Sequence, residues 1–145
     1  SEKINFDLNA TYMMARIKSY SPAGDQTYTD VVPALTPEFM GGATINYAFA
    51  SRFSLNLSGR YVGESFQEPT NDERFTMPSF FVADAGLTVK LWGNSSLEVF
   101  VNNIFDTRYF TFGAPVDLDF DGSVDEPGYF VQPPRNFYSK LVIAF

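Results

Sequence analysis

The chain has 145 residues, with 10 Lys and Arg against 17 Asp and Glu, and a formal net charge of −7. That acidity argues against nucleic acid as a partner, because phosphate backbones call for clustered Lys and Arg. With no Cys and no His, the sequence excludes disulfides, zinc–thiolate sites, cysteine nucleophiles and histidine-based acid–base pairs, so an enzyme is not expected.

In chain order, alternation of apolar and polar residues marks six segments. In "INFDLNATYMMAR", Ile4, Phe6, Leu8, Ala10, Tyr12 and Met14 share one face, and Asn5, Asp7, Asn9 and Thr11 the other. "FMGGATINYAF" sets Phe39, Ala43, Ile45, Tyr47 and Phe49 against Thr44 and Asn46. "FSLNLSGRYVG" sets Phe53, Leu55, Leu57 and Tyr61 against Ser54, Asn56, Ser58 and Arg60. "FVADAGLTVKLW" aligns Phe81, Ala83, Ala85, Leu87, Val89 and Leu91, with Asp84, Thr88 and Lys90 opposite. "LEVFVNNIFDTRY" alternates Leu97, Val99 and Val101 with Glu98 and Asn102. The closing segment has Phe137, Leu141, Ile143 and Phe145 on one side and Tyr138 and Lys140 on the other, with Ser139 interrupting the apolar row. A period of two repeated this often predicts an antiparallel all-β fold.

The runs are long, about 10–13 residues, near the ~9–11 tilted residues that cross a bilayer. Tight connections ("AFASR", "WGNSS") alternate with long ones rich in Pro, Gly and acids, as in an outer-membrane barrel with short periplasmic turns and extended outer loops. The polar faces carry Asn, Ser and Thr more than Lys and Glu. Phe39, Phe49, Phe53, Tyr61, Phe81, Trp92 and Phe145 stand at strand ends, where interfacial aromatic girdles belong. These features favour a transmembrane barrel over a soluble sandwich or lipocalin-like barrel. Phe145 is expected to anchor the last strand at the periplasmic interface.

Six strands are too few to close around such a polar face, since even about eight leave room only for packed side chains. The chain therefore reads as an incomplete barrel, with further strands and a lumen filling elsewhere. Within "DLDFDGSVDE", Asp117, Asp119 and Asp121 recur at every second residue, Gly122 follows, and Asp125 stands at the ninth position of a calcium-loop pattern. The twelfth position is Gly128, which leaves Glu126 or a backbone carbonyl to complete a Ca²⁺ site in the 117–126 loop. The same residues also read as a solvated acidic loop. "NNIFDTRY" reads as a local hydrogen-bonding motif with a bulge rather than as a binding site.

The stretch from "GRYVGESFQEP" through "FFVADAGLTV", "VNNIFDTRY" and "PPRNFYSKLVIAF" resembles the C-terminal end of a TonB-dependent outer-membrane receptor. The matching residues are Arg60–Gly63, Phe81–Asp84, Asn103–Tyr109, Pro134–Arg135 and Phe145; Lys140 departs from the family's closing signal, which commonly has a small residue there. The resemblance implies that residues 1–145 are the C-terminal portion of a 22-stranded barrel, with the plug, the earlier strands and the TonB-contacting segment outside this sequence. It implies transport of a scarce nutrient (a siderophore, cobalamin, a sugar or a peptide). The partners it implies are outer-membrane lipid, the rest of the barrel with its plug, and the TonB complex. Long loops would be extracellular, and termini and short turns periplasmic. The alternative is a structural or adhesive outer-membrane barrel assembled from several chains.

Overall fold

The computed structural model describes residues 3–22, 24 and 26–144. Twelve strands follow in order: β1 (Ile4–Tyr12), β2 (Ile17–Tyr20), β3 (Tyr28–Val31), β4 (Phe39–Ala50), β5 (Phe53–Val62), β6 (Ser65–Phe66), β7 (Thr76–Met77), β8 (Phe80–Lys90), β9 (Ser96–Asn102), β10 (Phe110–Val116), β11 (Glu126–Val131) and β12 (Asn136–Val142). The six long segments expected from alternation form one antiparallel sheet in the order β1-β4-β5-β8-β9-β12. Each segment pairs with the next one along the chain, which is an up-and-down wall. The all-β, antiparallel expectation is borne out.

The register keeps every apolar row on one face. Phe6 lies opposite Ile45, Ile45 opposite Leu57, Leu57 opposite Ala85, Ala85 opposite Val101 and Val101 opposite Phe137. This face has nothing to pack against among the described residues: even on the inner strands Ile45 is 37% exposed, Leu57 36% and Val99 40%. A water-facing sheet of this kind would be strongly unfavourable, at roughly 25 cal/mol per Å² of apolar surface. In lipid the same face is at home.

Aromatic rings bound this face at two levels. Near the long loops Phe39 meets Tyr61 with ring centroids 6.0 Å apart, and Phe81 meets Phe105 at 6.1 Å. Near the short turns Tyr47, Phe49 and Phe53 form a chain of contacts at 6.0 and 5.7 Å, and Trp92, on the short turn after β8, is exposed. Between Phe53 and Tyr61 the strand rises roughly 26 Å at about 3.3 Å per residue, or roughly 20 Å across a bilayer at a tilt near 40°. That approaches the ~25 Å apolar band of outer-membrane barrels. The expectation for Phe145 lies outside the described residues.

The opposite face is polar. Asn5, Asn46 and Asn56 form one cross-strand row, and Asn56 Nδ2 donates to Asn46 Oδ1 at 2.7 Å. Lys140 Nζ lies 3.7 Å from Glu98 Oε2. One aromatic pair interrupts this face: Phe100 and Tyr138 stack at 4.6 Å, inclined by 14°. Gly86 lies beneath them, and a Cβ there would fall 2.9 Å from Phe100 ring carbons. The ring covers a glycine that could not carry a side chain, which ties β8, β9 and β12 in one register.

Three differences from the sequence reading have physical causes. The segment "LEVFVNNIFDTRY" extends to Tyr109, but β9 ends at Asn102, where the alternation of Leu97, Val99 and Val101 with Glu98 and Asn102 also ends, and Asn103 at φ +53° turns the chain. The long connections are not structureless: each contains a two-stranded hairpin, namely β2-β3, β6-β7 and β10-β11. Finally, the buried apolar residues Val31, Phe75, Met77 and Phe80 gather in these loops and at the adjoining strand ends, with Val82 just inside the sheet. Along the rest of the wall, lipid replaces a core.

Mid-depth on the apolar face falls at Leu57, midway between Phe53 and Tyr61, whereas Val89 sits one position from the end of β8. Leu57→Arg is expected to cost roughly 2–4 kcal/mol, and Ser58→Arg, on the polar face, far less. Reversible unfolding in lipid vesicles checks this; equal costs would contradict the membrane-facing assignment.

Candidate functional site

A recess of about 520 Å³ opens on the polar face just below the long loops. Strand alternation brings Asn9, Arg60, Asp84, Asn102 and Asn136 to its wall, and Tyr109 closes the rim. Tyr109 is held by Phe80, whose ring centroid is 4.8 Å away. The Arg60 guanidinium lies 5.5 Å over the same Phe80 ring, on its other neighbour. Among the described residues Arg60 has no carboxylate within ion-pair distance, so its charge is directed at the recess by an aromatic support rather than neutralised. The wall thus offers amide donors and acceptors, one cation and one carboxylate. Hydroxyls of Thr44, Ser58 and Tyr109 add to this set, which suits hydrogen bonding to a hydrophilic surface.

The "NNIFDTRY" motif forms the rim's structural knot. The Asn103 N–H donates to Asp84 Oδ1 at 2.8 Å, joining β9 to β8. Asn103 Oδ1 accepts from the Thr107 N–H at 2.9 Å, and Asn103 Nδ2 donates to the carbonyls of Thr107 at 2.9 Å and Pro133 at 3.4 Å. Asp106 Oδ1 accepts from the Arg135 N–H at 2.8 Å, and Asn102 Nδ2 donates to Asn136 Oδ1 at 2.9 Å. Asn103 is 3% exposed, and Asn103 and Asp106 both have positive φ, a region that Asn and Asp tolerate best among residues with a side chain. The motif makes the local hydrogen bonds expected of it, with no bulge in the β9 pairings; it anchors three strands and makes one wall of the recess.

The acidic loop is arranged differently from its linear pattern. The pairing of Val116 with Glu126 folds the far end of the loop back beside its start. Asp117, Asp119 and Glu126 therefore converge, each with a carboxylate oxygen within 4.8 Å of the others. Asp121 and Asp125 stand outside this group. Asp117 Oδ2 accepts from the Gly122 N–H at 3.0 Å, while Asp117 Oδ1 is buried without a hydrogen-bond partner. Asp119 Oδ1 and Asp121 Oδ1 accept from backbone N–H groups two residues on, at 3.2 and 2.7 Å. Gly122 at φ +93° makes the turn, as its place in the pattern requires.

Elsewhere in the loops, Asp72 caps the short 3₁₀ turn Glu73–Phe75 by accepting from the Arg74 N–H at 3.0 Å. Arg74 Nη2 also lies 2.7 Å from Asp72 Oδ2, and this guanidinium holds the Asp72 carboxyl below its usual range. Burial pushes the nearby Glu68 carboxyl upward.

No protein-family profile matches the chain. Among curated proteins it is similar to the ferrichrome outer membrane transporter/phage receptor of Escherichia coli K12, 33% identical over 93 residues. That match covers 59% of this chain and 12% of the transporter. Among solved structures, the siderophore receptor PiuA from Acinetobacter baumannii superposes with a TM-score of 0.77 at 17% identity, over 97% of this chain and 19% of the receptor. The ferric-catecholate import receptor Fiu of Escherichia coli K12, in its closed form, gives 0.67 at 23%, over 97% and 18%. The chain spans about a fifth or less of these relatives. All three are transporters or receptors rather than enzymes. The resemblance drawn from the closing motifs is borne out: the chain matches a fragment of the TonB-dependent receptor family and has the fold of part of its barrel.

Asn103→Ala is expected to lower stability by about 1–3 kcal/mol, because it removes a buried carboxamide and leaves the part-buried Thr107 N–H without its acceptor. Asn102→Ala, which removes one half-exposed amide contact, is expected to cost less than about 1 kcal/mol. Denaturant titration of the two variants in the same lipid measures the difference.

Proposed function

We propose that this chain is the C-terminal wall of an outer-membrane receptor that imports a ferric chelate. Its long loops face the exterior, and its short turns and termini face the periplasm. The observation that carries the reading is the division of one sheet into two solvents: an exposed apolar face bounded by two aromatic belts, and a polar face with an open recess under the loops. The names of the similar proteins, which bind or transport ferrichrome, siderophores and ferric catecholates, support an iron chelate over cobalamin, a sugar or a peptide. On this reading the rest of the barrel and a plug complete the lumen. Inner-membrane energy relayed through TonB drives release. The carboxamide-rich wall hydrates a hydrophilic cargo without holding it tightly, and Arg60 adds attraction for an anionic chelate.

Uptake of radiolabelled iron as hydroxamate, catecholate and citrate complexes, by the source bacterium with and without the gene, tests the reading. Uptake of at least one complex is expected to depend on the gene and to stop when the proton gradient is dissipated. Gene-independent uptake of all of them, with gene-dependent uptake of cobalamin or an oligosaccharide, would replace the iron assignment.

A second reading, supported by the convergence of Asp117, Asp119 and Glu126 and by the unpartnered Asp117 Oδ1, is weak calcium binding at the loop tip. Three carboxylates at this separation repel one another, and an oxygen-seeking cation relieves that repulsion. An affinity of order 10⁻⁴–10⁻³ M is expected, as in extracellular calcium modules. Calorimetric titration with Ca²⁺ should lose its heat in Asp117→Asn/Asp119→Asn and keep it in Asp121→Asn. No heat at millimolar calcium in the unaltered protein would leave a solvated acidic loop.

A further inference from the structure

The three long connections are joined by side-chain and backbone hydrogen bonds, and among the described residues the middle one takes part in each of these joints. Call them the first (residues 13–38), second (63–79) and third (103–135) outer loops. In the second, Asn71 adopts φ +58° and turns its carboxamide onto the first loop. Asn71 Oδ1 accepts from the Val32 N–H at 2.6 Å, and Asn71 Nδ2 donates to the Val32 carbonyl at 2.8 Å. One side chain thereby satisfies both backbone groups of a residue that no strand pairs, as a neighbouring strand would. Beside it the Leu35 N–H donates to the Phe66 carbonyl at 2.7 Å.

Toward the third loop, Gln67, 5% exposed, donates from Nε2 to the Gly128 carbonyl at 3.1 Å, and Tyr129 donates from its hydroxyl to the Thr76 carbonyl at 3.0 Å. The fit is tight at Gly113, where a Cβ would lie 2.7 Å from both Gln67 Nε2 and the Gly128 carbonyl oxygen and 2.8 Å from Met77 Sδ. Phe110 stacks on Tyr129 at 4.5 Å behind this contact. The whole layer leans over the polar face: Met77 and Phe110 share a cavity of about 190 Å³ with Met40, Arg60 and Val62 of the sheet.

We propose that the three outer loops are coupled into one cooperative layer, with the second loop as its keystone, so that loosening any one loop loosens all three. The alternative is three loops that touch but loosen independently. Two arguments favour the unit. The joints bury backbone and carboxamide groups whose exposure one at a time would leave partners unsatisfied. And Met77, buried in the keystone, lies against Gly113 of the third loop and shares a cavity with Leu35 and Pro37 of the first, so loosening either loop uncovers apolar surface.

Hydrogen–deuterium exchange on the intact protein in lipid nanodiscs tests this without any ligand, so its outcome is independent of the iron reading. Asn71→Gly, which tolerates the positive φ of the second loop and removes only the carboxamide that reaches the first, is expected to speed exchange about tenfold in β10 and β11 as well as at residues 31–36. Tyr129→Phe, which removes a single hydroxyl and leaves folding of the sheet intact, is expected to speed exchange at residues 31–36, which Tyr129 does not touch. Acceleration confined to the segment that contacts each replaced side chain, or no acceleration, overturns the proposal.

Discussion

A strand in hydrocarbon has no water to satisfy its peptide groups, so each must find its partner on a neighbouring strand. Nearly everything in this structure follows from that requirement. It forces β1, β4, β5, β8, β9 and β12 into one unbroken antiparallel ladder and makes the short connections between them tight. It also releases the side chains from the usual duty of forming a core. The apolar face needs only to be lipid-soluble, and its residues are exposed across the wall. The polar face needs only to be wettable, and asparagine amides meet that need without the desolvation burden of paired charges.

Where the strands leave the bilayer the constraint changes, and so does the construction. Above the upper belt the backbone can bond to water, so the ladder breaks into short hairpins and side chains take over the pairing. Asn103, Asn71, Asp84 and Asp106 each satisfy a backbone group that a longer strand would have paired. Apolar burial reappears at the same level, around Phe75 and Met77. The molecule thus changes from a lipid-solvated sheet to a conventionally packed layer within a few residues, and the recess lies at that junction, where rigid wall meets polar rim.

The wall was legible in the sequence because a period of two is a local signal, present wherever a strand has different solvents on its faces. Even the depth scale is written in it, as ring residues at strand ends. The loop layer was not legible. β6 and β7 have two residues each, too short to alternate, and what holds them is a contact between residues as distant as Asn71 and Val32. The acidic loop shows the same limit in another form. The calcium pattern assigns ligands by position along a loop between helices, which nominates Asp121 and Asp125. Here a hairpin closes the loop, so the pairing of Val116 with Glu126 decides which carboxylates meet, and Glu126 joins Asp117 and Asp119. The segment ending at Tyr109 is longer than its strand for a related reason: the alternation stops at Asn102, and the positive φ of Asn103, which no periodicity marks, turns the backbone there.

The spacing of the two ring belts has a consequence for the choice of membrane. A wall whose belts stand roughly 20 Å apart matches a thin hydrocarbon layer, and the bacterial outer membrane is thinner than most. In a bilayer of ordinary thickness, about 30 Å, the rings of one belt or the other are dragged off the headgroup level unless the lipid compresses around the protein. Each ångström of that mismatch is cheap, but the wall cannot relieve it by tilting freely, since its tilt is set by strand pairing with its neighbours. The belts therefore act as an address as well as an anchor: they make short-chain lipid the solvent in which this sheet is least strained, and they disfavour residence in a thicker membrane.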